Sequence, residues 1–156
     1  IYLLKDLIPN LKVFLVGKGP LEDKLKLYTK ILGLGDIIIF TGHIHKITEF
    51  YKIIDVSVLT SNAEPYGNSV VESMLSSKPV ICTNTGGVVE HIDEGHSGFL
   101  VNVNDSFSLA KKIYILSQNS QLRANLGINA KEYILANRDS IEFNKKLYSV
   151  YNSQIQ

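Results

Sequence analysis

The stretch SNAEPYGNSVVESML, residues 61–75, carries two carboxylates, Glu64 and Glu72, eight residues apart. Between them lie Gly67, Asn68 and Ser69, and a helical apolar pattern begins directly behind. Such residues make an open helix N-terminus, with free backbone N–H groups and the positive end of the helix dipole. That is a site for phosphate or for sugar hydroxyls. A phosphate there would be repelled by a carboxylate pressed against it. Glu64, before the helix, and Glu72, about a turn and a half in, are therefore expected to flank the anion and accept from hydroxyls. The pair suggests a polyhydroxy ligand joined to a diphosphate. The alternative is two surface acids favoured near a helix N-terminus, and spacing alone does not separate the readings.

The elements that must position these residues follow a strand-helix rhythm. LKVFLVGKGP reads as a short buried strand, Lys12 to Val16, running into a glycine-rich turn. Pro20 sits at a helix start, and Leu21, Leu25, Tyr28, Ile31 and Leu32 mark one helical face. DIIIF is the second strand and TGHIH its loop, and a short helix follows through Ile47, Phe50, Tyr51 and Ile54. DVSVLT is the third strand, ending at the stretch above. The helix from Asn68 to about Ser76 leads to the fourth, KPVICT. NTGG turns into a short helix near Val88 to Ile92, and SGFLV is a brief fifth strand. From Asp105 the pattern is helical, over Phe107 to Ser117, Gln121 to Leu135 and about Ser140 to Tyr151.

Short β-branched strands without alternation, separated by helices, predict an α/β fold with a parallel sheet covered on both faces. Ligands bind such sheets beyond the carboxyl ends of the strands. The loops at that edge are Gly17-Lys18-Gly19, Gly42-His43-Ile44-His45, Ser61 to Ser69 and Thr85-Gly86-Gly87. All are small or polar, and they are expected to line one crevice.

Composition bounds the rest. A chain of 156 residues is one domain, 1–156, with 45% hydrophobic and 20% charged residues, which is globular rather than disordered. A net charge of +1 without a basic run argues against nucleic-acid binding. Cys82 is the single cysteine, so a reducing, cytoplasmic compartment is expected and no disulfide framework exists. No apolar run reaches the roughly 18 residues of a membrane span. A chain opening on Ile1 reads as a fragment of a longer one.

With these motifs in place, EPYGNSVVE has the acid-seven-acid spacing of the family 4 retaining glycosyltransferases. The following ESMLSSKPVICTNTGGVVEHIDEGHSGFLV resembles that family's small residues, Pro-Val strand, Gly-Gly turn, acid and Gly-Phe-Leu-Val strand in the same order. Upstream, PNLKVFLVGKGP, IIIFTGHI and IIDVSVLTS resemble its preceding strands, so the likeness runs from about Leu7 to Val103. The family has two facing Rossmann-like domains, the GT-B fold, and this chain is similar to the carboxyl-terminal, donor-binding one. The resemblance implies that Glu72 binds the ribose hydroxyls and that Glu64 meets the donor sugar as the catalytic acid of the motif. It implies that Tyr66, Gly67, Asn68 and Ser69 hold sugar and phosphate through backbone groups. Gly42, His43 and Ile44 would face the base, and Gly17 and Gly19 would allow close approach to the nucleotide. The implied chemistry is glycosyl transfer with retention. The leaving diphosphate would be stabilised electrostatically, without a divalent metal or other cofactor.

Two departures stand out. The family's diphosphate-binding Arg and Lys come from a segment upstream of anything here, and that segment also supplies the middle, first strand of the sheet. Arg123 and Arg138, the two arginines, lie late in the chain, and Lys18 sits in another loop. The expectation is a truncated donor domain, with the strands at Lys12 to Val16 and Asp55 to Leu59 flanking an absent strand. The implied partners are a nucleotide diphosphate sugar and, through an N-terminal domain, an acceptor sugar or lipid-linked glycan. A non-catalytic sugar-nucleotide-binding module and the donor half of a split transferase are the alternatives. A sugar-nucleotide epimerase would need acid and base residues from elsewhere.

Other constellations read more plainly. His43, His45, His91 and His96 lack the spacing of a metal cluster. A glycosidase acid and base at Glu64 and Glu72 fits poorly with a phosphate-binding helix end between them. Cys82, inside a strand, reads as packing. The Lys111-Lys112 and Lys145-Lys146 pairs read as solvated helix faces, with peripheral contact to the anionic inner face of a membrane as the alternative.

Overall fold

The structure is a computed structural model and describes residues 1–137. The expected helix near Ser140 to Tyr151, Arg138 and the Lys145-Lys146 pair lie outside the described residues. After a 3-10 turn at Tyr2–Leu4 come β1 (Val13–Val16), α1 (Glu22–Ile31), β2 (Ile38–Gly42), α2 (Ile47–Ile53) and β3 (Ser57–Leu59). Then follow α3 (Asn68–Leu75), β4 (Val80–Thr83), a 3-10 helix (Gly86–His91), β5 (Phe99–Val101), α4 (Ser106–Gln118) and α5 (Ser120–Asn137). This is the expected α/β, Rossmann-like arrangement of parallel strands and helices.

The strand ladders are parallel. β1 pairs with β2, Val13 opposite Ile38. β4 lies between β3 and β5, with Ser57 opposite Val80 and Ile81 opposite Phe99. No ladder joins β1 to β3 among the described residues.

β4 shows why its run VICT does not alternate. Every residue in it is buried, because both faces of this central strand are covered. Successive side chains point to opposite faces. Val80 and Cys82 meet Val70 and Met74 of α3, Val88, Ile92, and Ala130 and Ile134 of α5. Ile81 packs with Phe99, Val101, Leu116 of α4 and Leu126 of α5 on the other side. Each such aliphatic side chain stabilises the fold by about 1.5–3 kcal/mol. Burial pushes the Cys82 thiol up to about 12, so it stays protonated and packs as a small apolar group.

Leu21, Leu25, Tyr28, Ile31 and Leu32 are 40 to 67% exposed, and Thr29 is the residue of α1 that is buried. Periodicity reports that a helix has an apolar face, not what covers it.

Candidate functional site

The loop from β3 to α3 puts the two acids at the carboxyl edge of the sheet. Gly67 is the N-cap of α3, with φ +84°, a conformation that favours glycine. A Cβ there would stand 2.7 Å from Val88 Cγ2, so the position is closed to other residues on both counts. No side chain caps α3. The N–H groups of Val70 and Val71 turn back to the Gly67 carbonyl at 2.9 and 3.2 Å. That leaves the helix end open at Asn68 and Ser69, which are exposed. The helical period then sorts the side chains. Asn68, Ser69 and Glu72 share the exposed face, while Val70, Ser73 and Met74 face the core.

Glu64 is half-buried and engaged by its own loop. Its Oε1 accepts from the Gly67 N–H at 3.1 Å and its Oε2 from the Ser61 hydroxyl at 3.3 Å. The loop after β4 grips the same segment from below. Gly87 N–H donates to the Glu64 carbonyl at 3.1 Å, Thr83 Oγ1 to the Ser61 carbonyl at 2.6 Å and Thr85 Oγ1 to the Asn62 carbonyl at 3.1 Å. Gly86 makes this grip possible, because a Cβ at that position would collide with the Glu64 carbonyl.

Two residues of the site had no role in the sequence reading. Tyr51 of α2 is buried, and its hydroxyl donates to the Ser69 carbonyl at 3.0 Å while lying 3.5 Å from Glu72 Oε2. Burial first, then the Glu72 carboxylate, push the phenol up to about 12. It is therefore a hydrogen-bond donor at any ordinary pH. His91 is fully buried beneath Tyr66, with its Nε2 2.7 Å from the Tyr66 carbonyl oxygen and the two rings edge-on at 4.8 Å. Sequence spacing pointed to neither, since each acts on a backbone carbonyl distant in sequence.

The remaining site residues gather on β1–β2. Gly17 N–H donates to the Gly42 carbonyl at 2.7 Å, which ties the two loops together. The Lys18 chain passes over Gly42, and the exposed rings of His43 and His45 stand perpendicular at 5.0 Å, with Ile44 half-buried between them. The space beside Gly17 and Gly19 is open. The expected crevice residues thus form two groups at the carboxyl ends of the strands, one per sheet. Two shallow hollows of about 260 and 210 Å³ lie at the other edge, lined by Lys5, Lys12 and Asp36 and by Asp55, Lys78 and Arg123. They sit at the amino ends of the strands, away from both groups.

The four histidines part company: His91 is buried, and His96 pairs with Asp93 at 3.5 Å. Among the described residues no three His, Cys, Asp or Glu side chains come together as metal ligands, and no helix is long and apolar enough to cross a membrane.

Residues 2–133 match the family described as glycosyl transferases group 1. The chain belongs to that family. It is 32% identical over 151 residues to the putative glycosyltransferase EpsD of Bacillus subtilis, covering 96% of this chain and 40% of that protein. Anabaena HepE, solved with UDP, superposes with a TM-score of 0.83 at 28% identity, over 93% of this chain and 42% of that one. The same protein has also been solved with UDP-glucose. The C-terminal domain of the group 1 glycosyl transferase LpcC from Francisella tularensis superposes with a TM-score of 0.81 at 26% identity, over 89% of this chain and 75% of that one. The chain spans about 40% of the length of curated relatives such as EpsD.

Proposed function

We propose that this chain is the donor-binding domain, over residues 1–156, of a retaining glycosyltransferase that uses a nucleotide diphosphate sugar. One observation carries the reading: an uncapped helix N-terminus at the carboxyl edge of a parallel sheet, with Glu64 before it and Glu72 on its exposed face. The UDP and UDP-glucose held by HepE support the same ligand class. In this reading Glu72 accepts from the ribose hydroxyls and Glu64 from the sugar. Asn68 and Ser69 offer N–H groups to the diphosphate, and Tyr66 and Gly67 line the sugar. Gly42, His43 and Ile44 face the base, and Gly17 and Gly19 leave room for the nucleotide.

The chemistry asked of these residues is electrostatic. As the glycosidic bond to the diphosphate breaks, negative charge grows on the leaving oxygen, and the α3 N–H groups and dipole stabilise it. No divalent metal is needed in this scheme. The acceptor, a sugar or lipid-linked glycan for glycan synthesis, would be held outside these residues, with the enzyme working in the cytoplasm or against the inner face of a membrane. A thermal-shift screen of nucleoside diphosphates and their sugars tests the reading. Stabilisation by at least one diphosphate and its sugar form is expected, and no shift with any of them would refute it.

A further inference from the structure

The Tyr66 carbonyl and the Gly67 N–H belong to one peptide unit, and the fold grips that unit from both ends. The carbonyl oxygen lies 2.7 Å from His91 Nε2. A carbonyl has no proton to give, so Nε2 carries the hydrogen and donates it. The amide nitrogen of the same unit donates to Glu64 Oε1 at 3.1 Å. A trans peptide points its C=O and N–H in opposite directions. His91 and Glu64 therefore face each other across a single rigid plane.

That plane needs holding. Gly67 follows it, and glycine permits backbone rotations that other residues forbid. A flip of the 66–67 peptide would turn the N–H away from Glu64 and release the carboxylate from its orientation. His91 opposes the flip. It is fully buried at the end of the 3-10 helix, and its ring is fixed edge-on against Tyr66 at 4.8 Å, so it cannot follow a rotated carbonyl. A bond to the carbonyl oxygen also polarises the peptide and strengthens the N–H that Glu64 accepts.

We infer that His91 is a positioning residue, acting through the Tyr66–Gly67 peptide to orient the Glu64 carboxylate. The consequence for ligand binding rests on the proposed donor-site reading; the positioning itself does not. Because Glu64 is the acid assigned to the sugar, His91 governs recognition of the sugar rather than of the diphosphate.

The test uses the protein as encoded, with His91→Leu, which removes the donor, and His91→Gln, which keeps an N–H. Hydrogen exchange at the Gly67 amide reads the positioning without any ligand. His91→Leu should speed that exchange by about tenfold, as loss of one hydrogen bond implies, while His91→Gln should hold it near the wild-type rate. Calorimetry with UDP and UDP-glucose reads the consequence: His91→Leu should lower affinity for UDP-glucose by about tenfold and leave UDP within about twofold. Gly67 exchange unchanged in His91→Leu would overturn the inference, as would equal losses for both ligands. If His91→Leu does not fold, fast Gly67 exchange in the folded His91→Gln variant would also overturn it, and wild-type protection there would support it. If the wild-type protein binds neither UDP nor UDP-glucose, the exchange result decides the positioning by itself, and the screen of nucleoside diphosphates decides the donor reading.

Discussion

Glu64 Oε1 accepts from the backbone N–H of Gly67 at 3.1 Å, so the first acid of the motif is bound to the loop it would serve. Its Oε2 takes a hydroxyl from Ser61 at 3.3 Å. A carboxylate has about four lone-pair sites, which leaves capacity for a ligand's hydroxyls. The two roles can be separated. Glu64→Ala should lose a charge-assisted hydrogen bond worth about 1.5–3 kcal/mol and also weaken binding of a sugar nucleotide more than of its free diphosphate. Glu64→Gln keeps an acceptor for Gly67 and should keep most of the stability. Melting curves and calorimetry on both variants check this, and equal affinity losses for the two ligands would remove Glu64 from the sugar.

Tyr51 holds the carbonyl of Ser69 at 3.0 Å and stands 3.5 Å from Glu72. Tyr51→Phe should therefore loosen both the first turn of α3 and the acid beneath it. We expect a loss of about 1 kcal/mol in stability, with weaker binding of nucleoside diphosphate by calorimetry. Unchanged nucleotide affinity would show that Glu72 needs no help from α2.

Gly86, at φ +56°, lies where a Cβ would strike the Glu64 carbonyl. Gly86→Ala must either strain that backbone or push the loop away, and the first of these costs about 1–3 kcal/mol. The expected outcome is a lower melting temperature together with weaker sugar-nucleotide binding. Loss of stability with donor affinity intact would mean that the grip on Glu64 is structural alone.

Stability should respond to pH at both ends. The Asp105 carboxylate accepts from Ser108 N–H at 2.9 Å and from its hydroxyl at 2.7 Å, bonds that hold it below the usual carboxylate range. A folded-state value below the unfolded one contributes stability above the unfolded pKa and loses it as pH falls through the folded one. Cys82 and Tyr51 act in the opposite sense. Both are raised to about 12 from ordinary values of 9.0 and 10.0. The unfolded chain gives up these protons first, so stability declines as pH climbs above about 9. Cys82→Ala should flatten the start of that alkaline decline, and Asp105→Asn the acid one, in melting temperatures taken across pH.

The elements were legible because they rest on local patterns. β4 is a run of four apolar or small residues buried on both faces, and α3 follows a Gly-Asn-Ser start. Boundaries drifted by a residue or two: β1 begins at Val13 rather than Lys12, and β3 at Ser57 rather than Asp55. The exposure of the α1 stripe was not legible, since Leu25 and Ile31 carry the same pattern whether or not something covers them. Glu64 and Glu72 are singled out as candidates by their spacing and the family resemblance, whereas nothing in the sequence singles out Tyr51 or His91. Their partners are backbone carbonyls 18 and 25 residues away, and a carbonyl leaves no mark in a sequence.

In the proposed function the α3 end, flanked by Glu64 and Glu72, binds a nucleoside diphosphate without a metal. Calorimetric titration of UDP into the wild-type protein and Glu72→Ala, each in the presence of a chelator, tests it most directly. We expect binding by the wild type that is unaffected by the chelator. Glu72→Ala should weaken it by about 1–3 kcal/mol, the consequence of leaving ribose hydroxyls unpaired. Binding that collapses in chelator, or that is the same with and without Glu72, would contradict the account.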